Sequence, residues 1–257
     1  MLTIEQAKDR AADLVTRAMK AGADACDVIY AGNASTQVQM RLGALEDVER
    51  SEGEEIGLRV FVGKQSASPS SSDLSVAALA ALAGRAVAMA REAPEDAFAG
   101  LAPEEMLVRD ALPRLDLHDD TEISPQTLRE RALAAEDAAR AVAGVTNSEG
   151  AGASTSQAVM GLATSHGFAA SYSGSSHGVS SSVIAGEGGG MQRDYAHHTA
   201  RHAADLDSAE AIGRAAGERA VMAARAGFSP RITHACEKTV FAGSLEGSCF
   251  VGHEPPP

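Results

Sequence analysis

The sequence predicts an α+β fold. It reads as a pseudo-duplicated pair of helix–antiparallel strands–helix units, with the helices packed on one face of the sheet. Three observations lead there. Four segments space their apolar residues at helical intervals, and the stretches between them alternate apolar and small or polar residues as strands do. Glycine-centred turn pairs punctuate those strand-like stretches. The order helix, strands, helix then occurs twice, on either side of a connector rich in Pro and acidic residues at 94–120.

The first helix is expected from Thr3 to Ala21. Thr3 and Gln6 make a capping box, Ile4, Ala7, Ala11, Leu14 and Ala18 form one apolar stripe, and Gly22 ends it. Strand-like segments follow at Cys26–Tyr30, Thr36–Met40, Leu45–Arg50 and Ile56–Val62, with turns at Leu42-Gly43-Ala44 and Gly63-Lys64. Ser66–Ser72, with Pro69 inside it, reads as a loop or an edge strand. A second helix spans about Ser75 to Glu92, where Leu79, Leu82, Ala86 and Ala90 form the stripe and Pro94 stops it. The third starts at Ser124 and Pro125, a cap followed by a first-turn proline, and buries Leu128, Ala132, Ala135, Ala139 and Val142. The fourth starts at Asp207 or Ser208 and runs to about Ala226. The halves are thus 1–93 and 121–230, forming one domain over 1–230. Gly32-Asn33-Ala34-Ser35-Thr36 in the first echoes Gly152-Ala153-Ser154-Thr155 in the second.

Between the third and fourth helices lies the most unusual stretch, Gly144–His198. From Gly150 to Gly186 it holds no Asp, Glu, Lys or Arg. Val159, Leu162, Phe168, Tyr172, Val179, Val183 and Ile184 fall in short runs, so it is not a flexible linker. His166-Gly167, His177-Gly178 and Glu187-Gly188 read as turns of a meander of short strands. A sheet so poor in bulky side chains leaves its backbone open to an extended peptide, or packs closely on a helix or a partner subunit. Candidate peptide- or partner-binding residues are Ser175, Ser176, His177, Ser180, Arg193, Asp194 and Tyr195.

Composition excludes several classes. With 257 residues and 44% hydrophobic content but no Trp, the chain can bury a core of Ala, Val, Leu and Ile. A net charge of −13 argues against nucleic acid and against an anionic membrane surface. No apolar run reaches the ~18 residues of a membrane span. The opening MLTIEQAKDR is an amphipathic helix, not a signal peptide. Three Cys without metal-type spacing fit a reducing cytoplasm.

Hydrolytic and metal motifs are not complete. His253-Glu254 runs into three prolines, which forbid the helix of a zinc-protease motif. His198 and His202 have helical spacing but fall where a strand gives way to the fourth helix, and Ser175-Ser176-His177 is a local run and not a triad. No catalytic or metal-ligating residue is assigned. Chemistry alone leaves two readings, a substrate-binding part of a larger enzyme and a free-standing binding or assembly scaffold.

Five segments in order resemble the TldD/PmbA family of metalloproteases, in its PmbA (TldE) branch. They are residues 57–75, Thr146–Gly150, residues 163–185, MQRDYAHHTARHAADL at 191–206, and Phe228-Ser229-Pro230-Arg231. The resemblance implies a two-subunit peptidase. A TldD-like partner holds the metal, expected to be zinc, on a His-Glu-x-x-x-His helix. This chain would help to enclose unfolded or small peptides without carrying a cofactor of its own. Family members are nearly twice as long, so residues 231–257 are expected to be an aberrant remnant of the start of a C-terminal domain.

Overall fold

The caps expected at Thr3 and Ser124 are made, and Ser75 and Ser208 cap the other two helices. In the computed structural model, which describes residues 1–107 and 115–226, Thr3 and Gln6 complete the capping box of α1 (Ile4–Lys20). The Ser75 side chain accepts the Ala78 N–H at the start of α2 (Val76–Glu92). Ser124 does the same for α3 (Pro125–Arg140), and Ser208 Oγ accepts the Ala211 N–H at the start of α4 (Ala209–Ala226). The expectation for 231–257 lies outside the described residues.

The strands are β1 (Ala25–Arg41), β2 (Ala44–Val62), β3 (Gln65–Ala67), β4 (Ser70–Ser71), β5 (Val145–Thr164), β6 (Ala169–Ala185) and β7 (Gln192–Ala200). They are longer than the short runs expected. Cys26–Tyr30 and Thr36–Met40 belong to one strand, and the polar residues between them stay extended because strands pair on both sides. His177-Gly178 is not a turn. His177 pairs with Thr155 and Gly178 with Ser154 in the middle of β6, and unbroken pairing holds Gly178 extended. His166-Gly167 does turn the chain, with Gly167 at φ +87°.

The sheet is antiparallel in the order β3-β2-β1-β5-β6-β7, with β4 also beside β2. Pairing of β1 with β5 joins the two units into one sheet. The two echoed segments cross there. Thr36 stands directly opposite Thr155, so Ala34-Ser35-Thr36 and Ala153-Ser154-Thr155 run antiparallel through the same point. On either side of that pair the strand order runs outward as β1-β2-β3 and β5-β6-β7.

All four helices cover one face. On β1 the residues that face them are Cys26, Val28, Tyr30, Val38 and Met40, all buried, while Ile29, Ala31, Asn33 and Gln37 on the other face are exposed. α1 and α2 pack over one end of the β1–β2–β5 region. α3 and α4 pack over β5, β6 and β7, and α3 also over Val38 and Met40. Glycines permit the closest approaches. A Cβ at Gly161 would lie 2.9 Å from the Ala7 carbonyl oxygen of α1, and one at Gly213 of α4 only 2.0 Å from the Ala135 oxygen of α3.

Candidate functional site: the helix-free face and the cluster behind it

A strand alternates its side chains between faces, so the opposite face of the sheet receives every second residue of the Ser/Gly stretch. Gln37 and Gln39 of β1, Gly152 and Ser154 of β5, Gly178 and Ser180 of β6, and His197 and Thr199 of β7 line a shallow trough of about 150 Å³. Gly152 and Gly178 bring no side chain to its floor, and those of Gln39 and Ser154 lie over them. A Cβ at Gly152 would come 2.9 Å from Gln39 Nε2, and one at Gly178 would come 3.0 Å from Ser154 Oγ. At its β7 rim, Tyr195 and His197 stack with ring centroids 5.9 Å apart. Nearby, Ser182 Oγ donates to Glu149 Oε2 at 2.9 Å, and Arg193 Nη1 lies 3.4 Å from the same oxygen.

The seven residues singled out from the sequence do not form one surface, because their strands split them between faces. Ser176, Ser180, Arg193 and Tyr195 share the open face, with Ser180, Arg193 and Tyr195 exposed. Asp194 alternates to the helix side and accepts the Tyr195 N–H at 2.7 Å. Ser175 and His177 also face the helix side and are each 1% exposed, so neither is available to a peptide.

Ser175 and His177 instead fasten the end of the connector. The Leu117 carbonyl accepts the Ser175 N–H at 2.9 Å, and Arg201 Nη1 donates to the Ser175 carbonyl at 3.1 Å. Ser175 Oγ donates to the Arg201 carbonyl at 2.7 Å and accepts the Asp119 N–H at 2.8 Å. The Asp119 carboxylate accepts the N–H groups of Thr121 and Ala203 and lies 3.4 Å from His177 Nε2, while His177 Nδ1 meets Thr155 Oγ1 at 3.2 Å. Hydrogen bonds from Thr121 and Ala203 hold the Asp119 carboxyl far below the usual carboxylate range, and the His177 ring adds to this. Burial pushes the His177 imidazole down, Asp119 counters in part, and Arg131 and His202 push it down further.

A fully buried carboxylate joins the two units. Glu136 of α3 is fully buried and accepts the N–H groups of Leu42 and Gly43, at 2.6 and 2.8 Å, and the Ser148 hydroxyl at 2.5 Å. Burial works to raise its pKa, but these bonds and Arg140 outweigh it and hold the group ionised. Sequence reasoning missed this residue, although a signal was present. Glu136 follows Ala132 by four residues, so a carboxylate sits within the apolar stripe of α3. Asp119 had no comparable signal, since it lies among several acids of the connector.

His198 and His202 do not share a helix. His198 Nδ1 accepts the Asp207 N–H at 3.0 Å, and His202 Nε2 faces Asp116 Oδ1 at 3.3 Å. Among the described residues, no group of three or more His, Cys, Asp or Glu is placed to hold a metal ion. No helix among them is long and apolar enough to cross a membrane.

Residues 26–90 match the model of the PmbA/TldA metallopeptidase domain 1, and residues 118–224 match that of the central domain of the same family. The chain belongs to the PmbA/TldD metallopeptidase family. Among curated PmbA/TldD-family proteins, it is 32% identical over 231 residues to metalloprotease PmbA of Escherichia coli O157:H7, covering 90% of this chain and 50% of that one. A PmbA homolog of Haemophilus influenzae is also 32% identical, over 85% of this chain and 48% of its own length. The chain therefore spans about half the length of the curated relatives it matches. The fold recurs in solved structures. A Bacteroides thetaiotaomicron protein described as a candidate modulator of DNA gyrase superposes with TM-score 0.78 at 21% identity, covering 86% of this chain and 50% of that one. TldE of Thermococcus kodakarensis gives TM-score 0.69 at 16% identity over 82% of this chain and 47% of its own.

Proposed function

We propose that this chain is the PmbA (TldE)-like subunit of a two-subunit metallopeptidase, working in the cytoplasm. Its part is to enclose and hold unfolded or small peptides, while a TldD-like partner carries zinc. One observation carries this reading: the helix-free face, where Gly152 and Gly178 add no side chain of their own to a shallow polar trough lined by Gln37, Gln39, Ser154 and His197. An extended peptide there meets amide, hydroxyl and imidazole groups and no bulky obstruction. The described residues offer zinc no set of three donors, so no step through a metal is assigned to them.

The test is co-expression with a TldD-like subunit, followed by digestion of an unstructured peptide with and without a chelator. Co-purification and chelator-sensitive cleavage that needs both chains support the reading. One equivalent of zinc on this chain alone, with cleavage, would overturn it.

A further inference from the structure

Among the described residues the sheet has three stretches of outer edge, and two of them are engaged at one residue each by groups outside the sheet. The end of β6 is satisfied at Ser175 by the Leu117 carbonyl and Arg201. On β7, both backbone groups of Tyr195 are taken by side chains, its N–H by Asp194 and its carbonyl by Arg219. The outer edge of β2 is different. β3 and β4 pair with it only at 60–62 and 56–57, so among the described residues no strand covers 44–55. Residues 44–53 are exposed throughout.

The direction of the free groups can be read from register. The Leu58 N–H points outward, to the Pro69 carbonyl at 3.0 Å. Pairing with β1 is regular from Val48 to Leu58, so the N–H and carbonyl groups of Val48, Arg50, Glu52 and Glu54 point outward as well. The two faces of this edge differ. The open side carries Asp47, Glu49 and Glu55. Leu45 and Val48, 48% and 49% exposed, lie on the helix side, where Val48, Arg50 and Glu52 border a cleft of about 460 Å³ walled by Ile123 and Pro125. Between 44 and 55 there are six carboxylates and one guanidinium, a net −5.

We propose that this edge is the docking strand for a segment of the partner subunit. That segment is extended and alternates basic with apolar residues, its basic side chains meeting Asp47, Glu49 and Glu55 and its apolar ones entering the cleft beside Val48. A second copy of this chain is a poor occupant, since two such edges repel. The proposal rests on the reading of the chain as one subunit of a pair.

Two assays test it. The first measures binding of a labelled peptide of about twelve residues alternating Lys and Val, against a Glu–Val control. Arg50→Pro removes one outward N–H and makes the edge more acidic, so weaker binding cannot come from lost attraction. Asp47→Lys with Glu49→Lys reverses the charge at two positions, takes the net −5 of the segment to −1, and keeps the backbone. The Lys–Val peptide should bind, and both variants should bind it at least about tenfold more weakly. No binding, equal binding of the Glu–Val peptide, or unchanged binding by the charge-reversed variant overturns the proposal. The second assay co-purifies each variant with the TldD-like subunit. Loss of complex supports the proposal, and undiminished complex with both variants overturns it. If the parent chain forms no complex, the subunit reading fails, and the claim that the edge recognises such a strand is decided by the peptide.

Discussion

Asp119 lies 3.4 Å from the Nε2 atom of His177, and this pair ties the end of the connector to the middle of β6. Both groups have proton affinities below their ordinary values, so both favour the deprotonated state in the fold. Their contribution to stability is complete above about pH 6.5, the ordinary histidine value. It falls first as His177 is forced to take a proton, and again below about pH 4 as Asp119 does. A pH series of thermal melts should show both losses. His177→Gln should flatten the first and leave the second, and an unchanged profile in that variant would mean that His177 does not drive it.

Glu136 sets the tip of the β1–β2 hairpin. Leu42 is held at φ +52°, in the left-handed region, with its side chain 54% exposed. Removing the carboxylate by Glu136→Ala leaves the Leu42, Gly43 and Ser148 donors without their acceptor and should cost roughly 2–4 kcal/mol in denaturant melts. Leu42→Gly relieves the steric conflict and should cost nothing or stabilise by up to about 1 kcal/mol.

Two helical glycines should respond in opposite ways to alanine. A Cβ at Gly213 would fall inside the contact radius of the Ala135 backbone, so Gly213→Ala must push α4 off α3 and should destabilise by about 3 kcal/mol or more. Gly84 in α2 has nothing within 4 Å of the same position, so Gly84→Ala should stabilise by about 0.5–1 kcal/mol. Calorimetry on the two variants measures both.

The two faces of β6 make a further contrast. Ser180→Trp adds bulk to the open trough, so it should leave the melting temperature near that of the parent and block peptide capture. Ser175→Trp places the same ring among Leu117, Asp119 and Arg201 and should unfold the second unit. Equal melting temperatures for the two would mean that the faces are misassigned.

The sequence by itself determined the helices, the duplicated α+β order, the family and the existence of a small-residue sheet. Caps such as Thr3 and Ser124 and stripes such as Leu128, Ala132 and Ala135 act within a few residues of chain, so their signals survive without any tertiary partner. Tertiary structure decided strand length, register and which side of each strand meets solvent. His177-Gly178 has the composition of a turn, and only pairing with Ser154 and Thr155 keeps it extended. That pairing also turns Ser175 and His177 inward and leaves Ser176 and Ser180 on the open face, since one residue of register exchanges the two faces. Asp119 acquires its role from Ser175, 56 positions away, and Glu136 and Leu42 acquire theirs from each other, 94 positions apart, and no local pattern encodes such distances.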